Sequence, residues 1–321
     1  MNKSLKIVFL DGHTVNPGDL SWEGLTDLGE LHVYDRTLPD EVFERAQGAN
    51  VLIVNKTALG SVHFERFSPD LRLVCVAAAG FDRIDVTAAR RYGVCVCNAA
   101  GYGTASVAQM FFALLLEMTN RVGHYARANR GGFWSKSPDF CCWDSPLVEL
   151  QEKRLCIIGY GRIGETIARI AQAMGMHISA VTRRTDLPAY VTRVSVNEAF
   201  AESDVISLNA PLTADNYHFV NAELLSKAKP GLLLVNTARG GLVDELAVVD
   251  ALRNGRLGGY AADVMEQEPP RADHPFWSEP GILITPHIAW VTSEARTRLM
   301  QIIENNIRAF LAGKPQNVVN G

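Results

Sequence analysis

Short apolar blocks punctuate the chain. Runs at 6–10, 31–34, 51–54, 73–77 and 94–97 are the length of buried strands. Between them, 18–28, 40–47 and 85–91 have helical texture. Strands separated by helices imply βαβ crossovers, a parallel sheet and helices on both faces. Near residue 104 the pattern changes. Val107, Ala108, Phe111, Phe112, Leu115, Met118 and Val122 recur at helical spacing, predicting one long helix over 105–129. A second alternating series starts at 153. It predicts six strands, at 154–158, 177–181, 205–208, 232–236, 259–263 and 282–285, with helices at 162–174, 196–201, 221–227 and 245–254. That rhythm reads as a doubly wound dinucleotide fold. In the last amphipathic stretch, 292–311, Leu299, Ile302, Ile303, Ile307 and Phe310 face one way, and Gly313 and Pro315 stop it. The expected class is α/β, with two doubly wound parallel-sheet domains and a cleft between them. The terminal helix folding back gives the expected bounds: 1–99 with 290–321, and 100–289.

Composition narrows the partners. The 321 residues are 47% hydrophobic and 21% charged, ordinary globular values that exclude a disordered chain. A net charge of −4 leaves no basic excess for a phosphate backbone, so nucleic acid is not expected. The apolar run Met110 to Leu116 ends at Glu117, short of the ~20 residues that span a bilayer. The first residues, Met-Asn-Lys-Ser-Leu-Lys, lead into too short an apolar run for a secretory signal. The expectation is a soluble cytoplasmic protein without membrane contact. The six cysteines make no C-x-x-C pair and have no histidine at zinc spacing, so no metal site is expected. They read as buried free thiols, with adjacent Cys141 and Cys142 the place for any redox sensitivity. The loop 131–146 gathers Phe133, Trp134, Phe140 and Trp143. Core or inter-domain packing and a subunit interface both account for these rings.

The first chemical motif is Gly159-Tyr160-Gly161-Arg162-Ile163-Gly164, directly after a strand and opening a helix. Gly159 permits a tight turn, Gly161 lets backbone approach a pyrophosphate, and Gly164 lets helix and strand pack closely. A helix N-terminus then faces the phosphates. About 20 residues past such glycines, NAD sites usually carry an acidic residue for the ribose 2′-hydroxyl. Here Thr182, Arg183 and Arg184 stand at that place. Guanidinium groups suit a 2′-phosphate, so NADP is favoured and NAD possible. The alternative is that both arginines are solvated loop charges.

Three ionisable residues follow predicted strands: Arg239 in Asn236-Thr237-Ala238-Arg239, Glu268 before Pro269, and His287 in Thr285-Pro286-His287-Ile288-Ala289-Trp290. The carboxyl edge of a parallel sheet is where ligands bind. Singly, each reads equally as a surface charge or a core histidine. Together they suit carbonyl–alcohol interconversion by hydride transfer. Histidine moves the proton, a carboxylate holds its ring, and arginine binds a substrate carboxylate and polarises the carbonyl.

GYGRIG at 159–164, NTARGGLVDE at 236–245, DVMEQEPP at 263–270 and TPHIAW at 285–290 resemble the D-isomer-specific 2-hydroxyacid dehydrogenase family, over essentially the whole chain. Within it, NKTAL at 55–59, GYGTASVAQ at 101–109 and SPDFCCWDSPLVEL at 137–150 are most similar to glycerate dehydrogenases and hydroxypyruvate reductases. The resemblance implies a flavodoxin-like substrate domain and a Rossmann NAD(P)-binding domain. It implies His287 as acid/base, Glu268 as its partner and Arg239 as the substrate arginine. It implies that Ala78, Ala79 and Gly80 bind the substrate carboxylate through backbone N–H groups, with Asn55 and Lys56 accommodating the acid. Lys56 as a solvated charge stays open. Asp263 would hold the nicotinamide carboxamide, with Thr104 and Val107 nearby. Pro211, Thr213, Thr237, Ala238 and Ala289 would line the cofactor groove. Trp290 would either wall the substrate pocket or pack the hinge. The family's homodimers favour the interface reading of the aromatic loop. The chain departs from the family pattern at Thr182, where the acid is missing, and at Asn209-Ala210-Pro211, where a histidine is common.

The implied activity is hydride transfer between NAD(P)H and a small 2-keto acid, hydroxypyruvate or glyoxylate. A 3-phosphoglycerate or other D-2-hydroxyacid dehydrogenase is the alternative. A cofactor-sensing binding protein without turnover is a different class, and turnover with any 2-keto acid separates it.

Overall fold

The structure, a computed structural model, describes residues 5–321. The expectation of no secretory signal rests partly on residues 1–4, which lie outside the described residues. The chain divides into two compact units. One runs to Gly103 and resumes at Trp290–Gly321, and the other is Thr104–Ala289.

In the first unit, β1 (Lys6–Phe9), β2 (Glu30–Val33), β3 (Val51–Val54), β4 (Leu73–Val76) and β5 (Cys95–Cys97) form a parallel sheet in the order β2-β1-β3-β4-β5. Helices α1 (Glu23–Thr26), α2 (Val42–Arg45), α3 (Ser61–Phe67) and α4 (Val86–Arg91) connect the strands. The strand order reverses between β1 and β3, and the loops leaving those strands are the usual place for a ligand. Val51–Val54 and Leu73–Val76 are buried throughout, as strands covered on both faces must be.

In the second unit α5 (Thr104–Asn120) and α6 (Val122–Arg130) precede a seven-stranded sheet. Its strands are β6 (Arg154–Ile158), β7 (His177–Val181), β8 (Val191–Arg193), β9 (Val205–Leu208), β10 (Leu232–Asn236), β11 (Leu257–Ala262) and β12 (Ile282–Ile284). All pair in parallel, in the order β12-β11-β10-β9-β6-β7-β8. Helices α7 (Arg162–Ala173), α8 (Val196–Glu202), α9 (Ala222–Ser226) and α10 (Glu245–Arg253) cover it. The switch in strand order falls between β6 and β9, so β6 delivers its glycines at the ligand edge. The last helix, α11 (Ser293–Leu311), belongs to the first unit. Its Ala295, Leu299, Ile303 and Ile307 share a buried cluster with Ile7, Phe9, Leu73 and Cys97.

Several expectations are corrected. The helix predicted over 18–28 shrinks to Glu23–Thr26. The Asn16 side chain accepts the N–H groups of Gly18 and Leu20, both at 3.0 Å, and donates to the Leu20 carbonyl at 2.7 Å. Such side-chain bonds compete with helix for the same backbone groups. The helix predicted over 105–129 breaks at Arg121, whose φ is 52°. The Glu117 carboxylate accepts the Gly123 N–H at 2.9 Å and starts α6 afresh. Helix α3 and the edge strand β8 went unanticipated, because Ser61–Phe67 is short and Val191–Arg193 carries one buried side chain. Of the cysteines, Cys75, Cys97 and Cys156 are buried, but Cys141 is exposed and Cys95 and Cys142 partly so. In the aromatic loop Trp134, Phe140 and Trp143 are 55%, 89% and 67% exposed, so packing within the chain does not account for them. No helix among the described residues is long and apolar enough to cross a membrane.

Candidate active site

The glycine loop follows β6 directly. Gly159 has φ 96°, and a Cβ there would lie 2.6 Å from the Ala210 nitrogen of the loop after β9. At Gly164 a Cβ would lie 2.6 Å from the Gly159 carbonyl oxygen. Both positions therefore require glycine for close packing. Gly161 differs: a Cβ there would meet nothing within 4 Å, so its space lies open in front of α7, which it caps. Arg162 is exposed, Ile163 half-buried and Gly164 buried.

Three buried polar atoms among the described residues lack a hydrogen-bond partner: the Tyr160 hydroxyl within the glycine loop, Asn209 Oδ1 and Thr237 Oγ1. Asn236 and Leu208 are register partners on β10 and β9, so Thr237 and Asn209 leave neighbouring strands side by side. Such orphaned groups await a ligand or water. In the loop after Asn209, Asn216 accepts the Thr213 N–H at 2.7 Å and donates to the Pro211 carbonyl at 2.8 Å. Pro211 and Thr213 are both exposed.

Past β7, Thr182 Oγ1 accepts the Arg184 N–H at 3.1 Å. The Arg184 guanidinium grips Asp186 through two bonds, 3.1 and 2.9 Å, and reaches Glu165 at 3.2 Å. Asp186, then Glu165, hold it more firmly charged, and it lies 5.6 Å from the Tyr160 ring. Arg183 is exposed.

Arg239 leaves β10 through a turn built by buried Asn236. Its Oδ1 accepts the Ala238 N–H at 3.0 Å, and its Nδ2 donates to the Arg239 carbonyl at 2.9 Å. Gly240 then passes so close to the segment after β11 that a Cβ would sit 1.9 Å from the Met265 carbonyl carbon. The arginine-bearing turn and the glutamate-bearing turn thus touch backbone to backbone.

Asp263 directly follows β11 and is 1% exposed. Its carboxylate accepts the Thr285 hydroxyl at 2.6 Å, the Ile288 N–H at 2.9 Å and the Ala289 N–H at 2.7 Å. Burial raises its pKa despite those donors. These bonds fold 285–289 around the aspartate and hold His287 at φ 56°, a region few non-glycine residues occupy. From there His287 Nδ1 lies 2.7 Å from Glu268 Oε2. Glu268 Oε1 accepts the Met265 N–H at 3.1 Å, which locks the carboxylate from its own turn. The pair is partly shielded, with side-chain exposures of 25% and 34%. A carboxylate on Nδ1 fixes the ring's tautomer and leaves Nε2 for proton exchange. Ala289, 4% exposed, also accepts the Ser106 hydroxyl on its carbonyl, near Thr104 and Val107 at the start of α5.

The remaining candidates lie in the first unit. The Asp11 carboxylate, just past β1, accepts the N–H groups of Asn55, Lys56 and Thr57 at 2.7, 2.6 and 2.7 Å, and the Thr57 hydroxyl at 2.9 Å. Asn55 in turn donates to the Ala77 carbonyl at 2.6 Å. The next loop is tied down by its carbonyls: Asn98 Nδ2 donates to Ala79 at 2.7 Å, and the Ala99 N–H to Ala78 at 3.0 Å. Ala79 is exposed and Gly80 half-buried. Trp290 stacks edge-on against Tyr102 at 6.2 Å. Asp11, Asn98, Asn216 and Asn236 were not singled out from sequence. Each is a short polar residue at the end of a strand or in the loop beyond it, and the only available signal was its position past an apolar run.

Residues 112–289 match the family described as D-isomer specific 2-hydroxyacid dehydrogenase, NAD binding domain. A hydroxypyruvate reductase of Blautia hydrogenotrophica is 44% identical over 98% of this chain and 100% of its own length. A glycerate dehydrogenase of Methylorubrum extorquens is 38% identical over 98% of each chain. Among solved structures, an acyclic imino acid reductase in complex with NADPH and D-Arg superposes with a TM-score of 0.86, at 29% identity over 98% of this chain and 99% of that one. The chain belongs to the D-isomer specific 2-hydroxyacid dehydrogenase family, and is an NAD(P)-binding oxidoreductase that acts on 2-hydroxy acids.

Proposed function

We propose that this enzyme reduces hydroxypyruvate, and glyoxylate beside it, to the 2-hydroxy acid, with NADPH as the favoured cofactor. The observation that carries the reading is the 2.7 Å contact between His287 Nδ1 and Glu268 Oε2, on a backbone turn that Asp263 holds in place. Relatives named hydroxypyruvate reductase and glycerate dehydrogenase along nearly the whole chain supply the substrate.

The residues fit a dinucleotide. Open space before Gly161, the N-terminus of α7 and the partnerless Thr237 Oγ1 and Asn209 Oδ1 are what such a group would use. Gly159 to Gly164, Ala238 and the 211–213 loop would hold it, with Thr104, Val107 and Asp263 toward its reactive end. When bound, the nicotinamide supplies or takes the hydride. The protein's part is the proton and the charge. His287, protonated at both ring nitrogens, gives the Nε2 proton to the carbonyl oxygen as the alcohol forms. Glu268 keeps the ring oriented and balances the imidazolium. Arg239 binds the substrate carboxylate and draws charge toward the carbonyl oxygen. The family resemblance adds the backbone N–H groups of Ala78, Ala79 and Gly80 as proposed donors to the substrate carboxylate, and Asn55, Lys56 and Trp290 as the residues proposed to set the size of acid admitted.

For the cofactor, the absence of a carboxylate at Thr182 and the exposure of Arg183 support NADPH. Arg184 is committed to Asp186 and Glu165, so the 2′-phosphate falls chiefly to Arg183. Exposed Trp134, Phe140 and Trp143 support a homodimer through that loop, since a monomer rarely leaves such area in water. Oxidation of NADPH or NADH with hydroxypyruvate, followed at the reduced-nicotinamide absorbance, tests the whole reading. A rate with hydroxypyruvate well above that with bulkier 2-keto acids supports it, and preference for a bulky acid overturns the substrate assignment.

A further inference from the structure

We infer that Glu245, in the first turn of α10, is a positioning residue for the proton-transfer pair, acting through the turn that carries Glu268. The inference rests on the proposed roles of His287 and Glu268.

Both carboxylate oxygens of Glu245 are engaged. Oε1 accepts the Glu266 N–H at 3.0 Å, and Oε2 lies 3.0 Å from His274 Nε2. The two side chains are only 13% and 17% exposed. The histidine's role is set by its other nitrogen: the Phe276 N–H donates to His274 Nδ1 at 3.3 Å, so Nδ1 carries no proton and Nε2–H donates to Glu245. Glu245 is therefore the common acceptor of the segment after β11 and the turn at Pro275–Trp277.

That segment is the one that matters. The Met265 N–H donates to Glu268 Oε1 at 3.1 Å, and the very next N–H, that of Glu266, donates to Glu245. One carboxylate grips the turn from within and the other from outside. The Glu266 side chain is held as well, by His218 at 3.0 Å and by the Tyr217 hydroxyl. Gly240 also passes close against the Met265–Glu266 peptide. The titratable and charged groups around Glu245 and Glu266 are thus His274, His218, Tyr217, the neighbouring Asp244 and, on β11, buried Tyr260, whose hydroxyl feels the Glu245 charge. Without the Glu245 acceptor the Glu266 N–H is released, and the adjoining Met265–Glu268 bond loses its fixed geometry.

The test compares Glu245→Ala and Glu245→Gln, each alone and combined with Glu268→Gln, by kcat, KM and pH profile with hydroxypyruvate and NADPH. Glu245→Ala should lower kcat by about 10- to 100-fold, the cost of misplacing reacting groups from a distance. KM for NADPH should not move, and the alkaline limb of the reduction profile should shift to lower pH, in the direction expected for Glu268→Gln. Glu245→Gln should lose less, because its one carbonyl oxygen can accept one of the two donors. With Glu268→Gln already present, Glu245→Ala should add little. Full multiplication of the two losses, or an unmoved pH limb, overturns the inference. Should the alanine variant fail to fold, the glutamine variant carries the same comparison. If Glu268→Gln itself leaves kcat and profile intact, the proton-pair reading fails. If it impairs both while Glu245→Ala does not, only the role of Glu245 falls.

Discussion

His287 and Glu268 meet at 2.7 Å although they leave different strands and are separated by 19 positions. Each arrives on backbone that another carboxylate has shaped. Asp263 folds the histidine's turn and Glu245 anchors the glutamate's. The contact is thus a product of the sheet edge, where β11 and β12 end side by side. Preorganisation of this sort costs nothing at the moment of proton transfer.

Replacing His287 with Ala removes the proton donor and leaves the glycine loop untouched. Turnover should drop by about 10²- to 10⁴-fold, the usual contribution of a positioned acid or base. NADPH affinity, measured by fluorescence titration, should stay within error. Lost cofactor affinity would place His287 in binding and not in proton transfer.

Glu268→Gln removes the negative charge that faces the ring. The imidazolium then deprotonates at lower pH. Because reduction needs the protonated ring, activity should fade earlier on the alkaline side, and the optimum should move down. A pH–rate profile reads this directly, and an unmoved alkaline limb would sink the pairing.

Asp263→Asn tests the turn itself. Burial raises the Asp263 pKa, so the folded chain binds its proton more tightly than the unfolded chain. Between the two values the folded state carries more protons, and stability falls as pH rises through that window. Asparagine abolishes that dependence but cannot accept at both oxygens, so an N–H of the His287 turn is orphaned. A loss of about 1–3 kcal/mol is expected, together with slower turnover. Urea unfolding at several pH values checks both, and an unchanged pH dependence would remove Asp263 as its source.

Arg183→Ala should raise KM for NADPH at least tenfold, given ~1.5–3 kcal/mol for a charged hydrogen bond, while KM for NADH stays level. Equal effects on both cofactors would make Arg183 an ordinary surface charge.

Much of this was legible from residue pattern. Four of the strands in the second unit, Arg154–Ile158, His177–Val181, Val205–Leu208 and Leu232–Asn236, occupy the ranges predicted for them, each built around an apolar run. Buried parallel strands have sharp edges in hydropathy because both faces are covered. Gly159 and Gly164 also announced themselves, since they stand in a recognisable G-x-G-x-x-G spacing between strand and helix. Less legible were features that depend on a single side chain reaching across loops. Asn16 dissolved a predicted helix, and Arg121 broke another. Asp11, Asn98 and Glu245 act through bonds to backbone far away in sequence, and Asn236 through a turn of its own, none of which leaves a periodicity. The exposure of Trp134, Phe140 and Trp143 was open for the same reason: aromatic rings bury against whatever is nearest, within the chain or beyond it.

The most direct test follows reduced-cofactor absorbance with hydroxypyruvate for the native chain and for His287→Ala, with NADPH and NADH in parallel. The native chain should turn over rapidly with a preference for NADPH, and the variant should show almost no turnover with NADPH still bound. Comparable turnover by the variant, or none by the native chain with any small 2-keto acid, would contradict it.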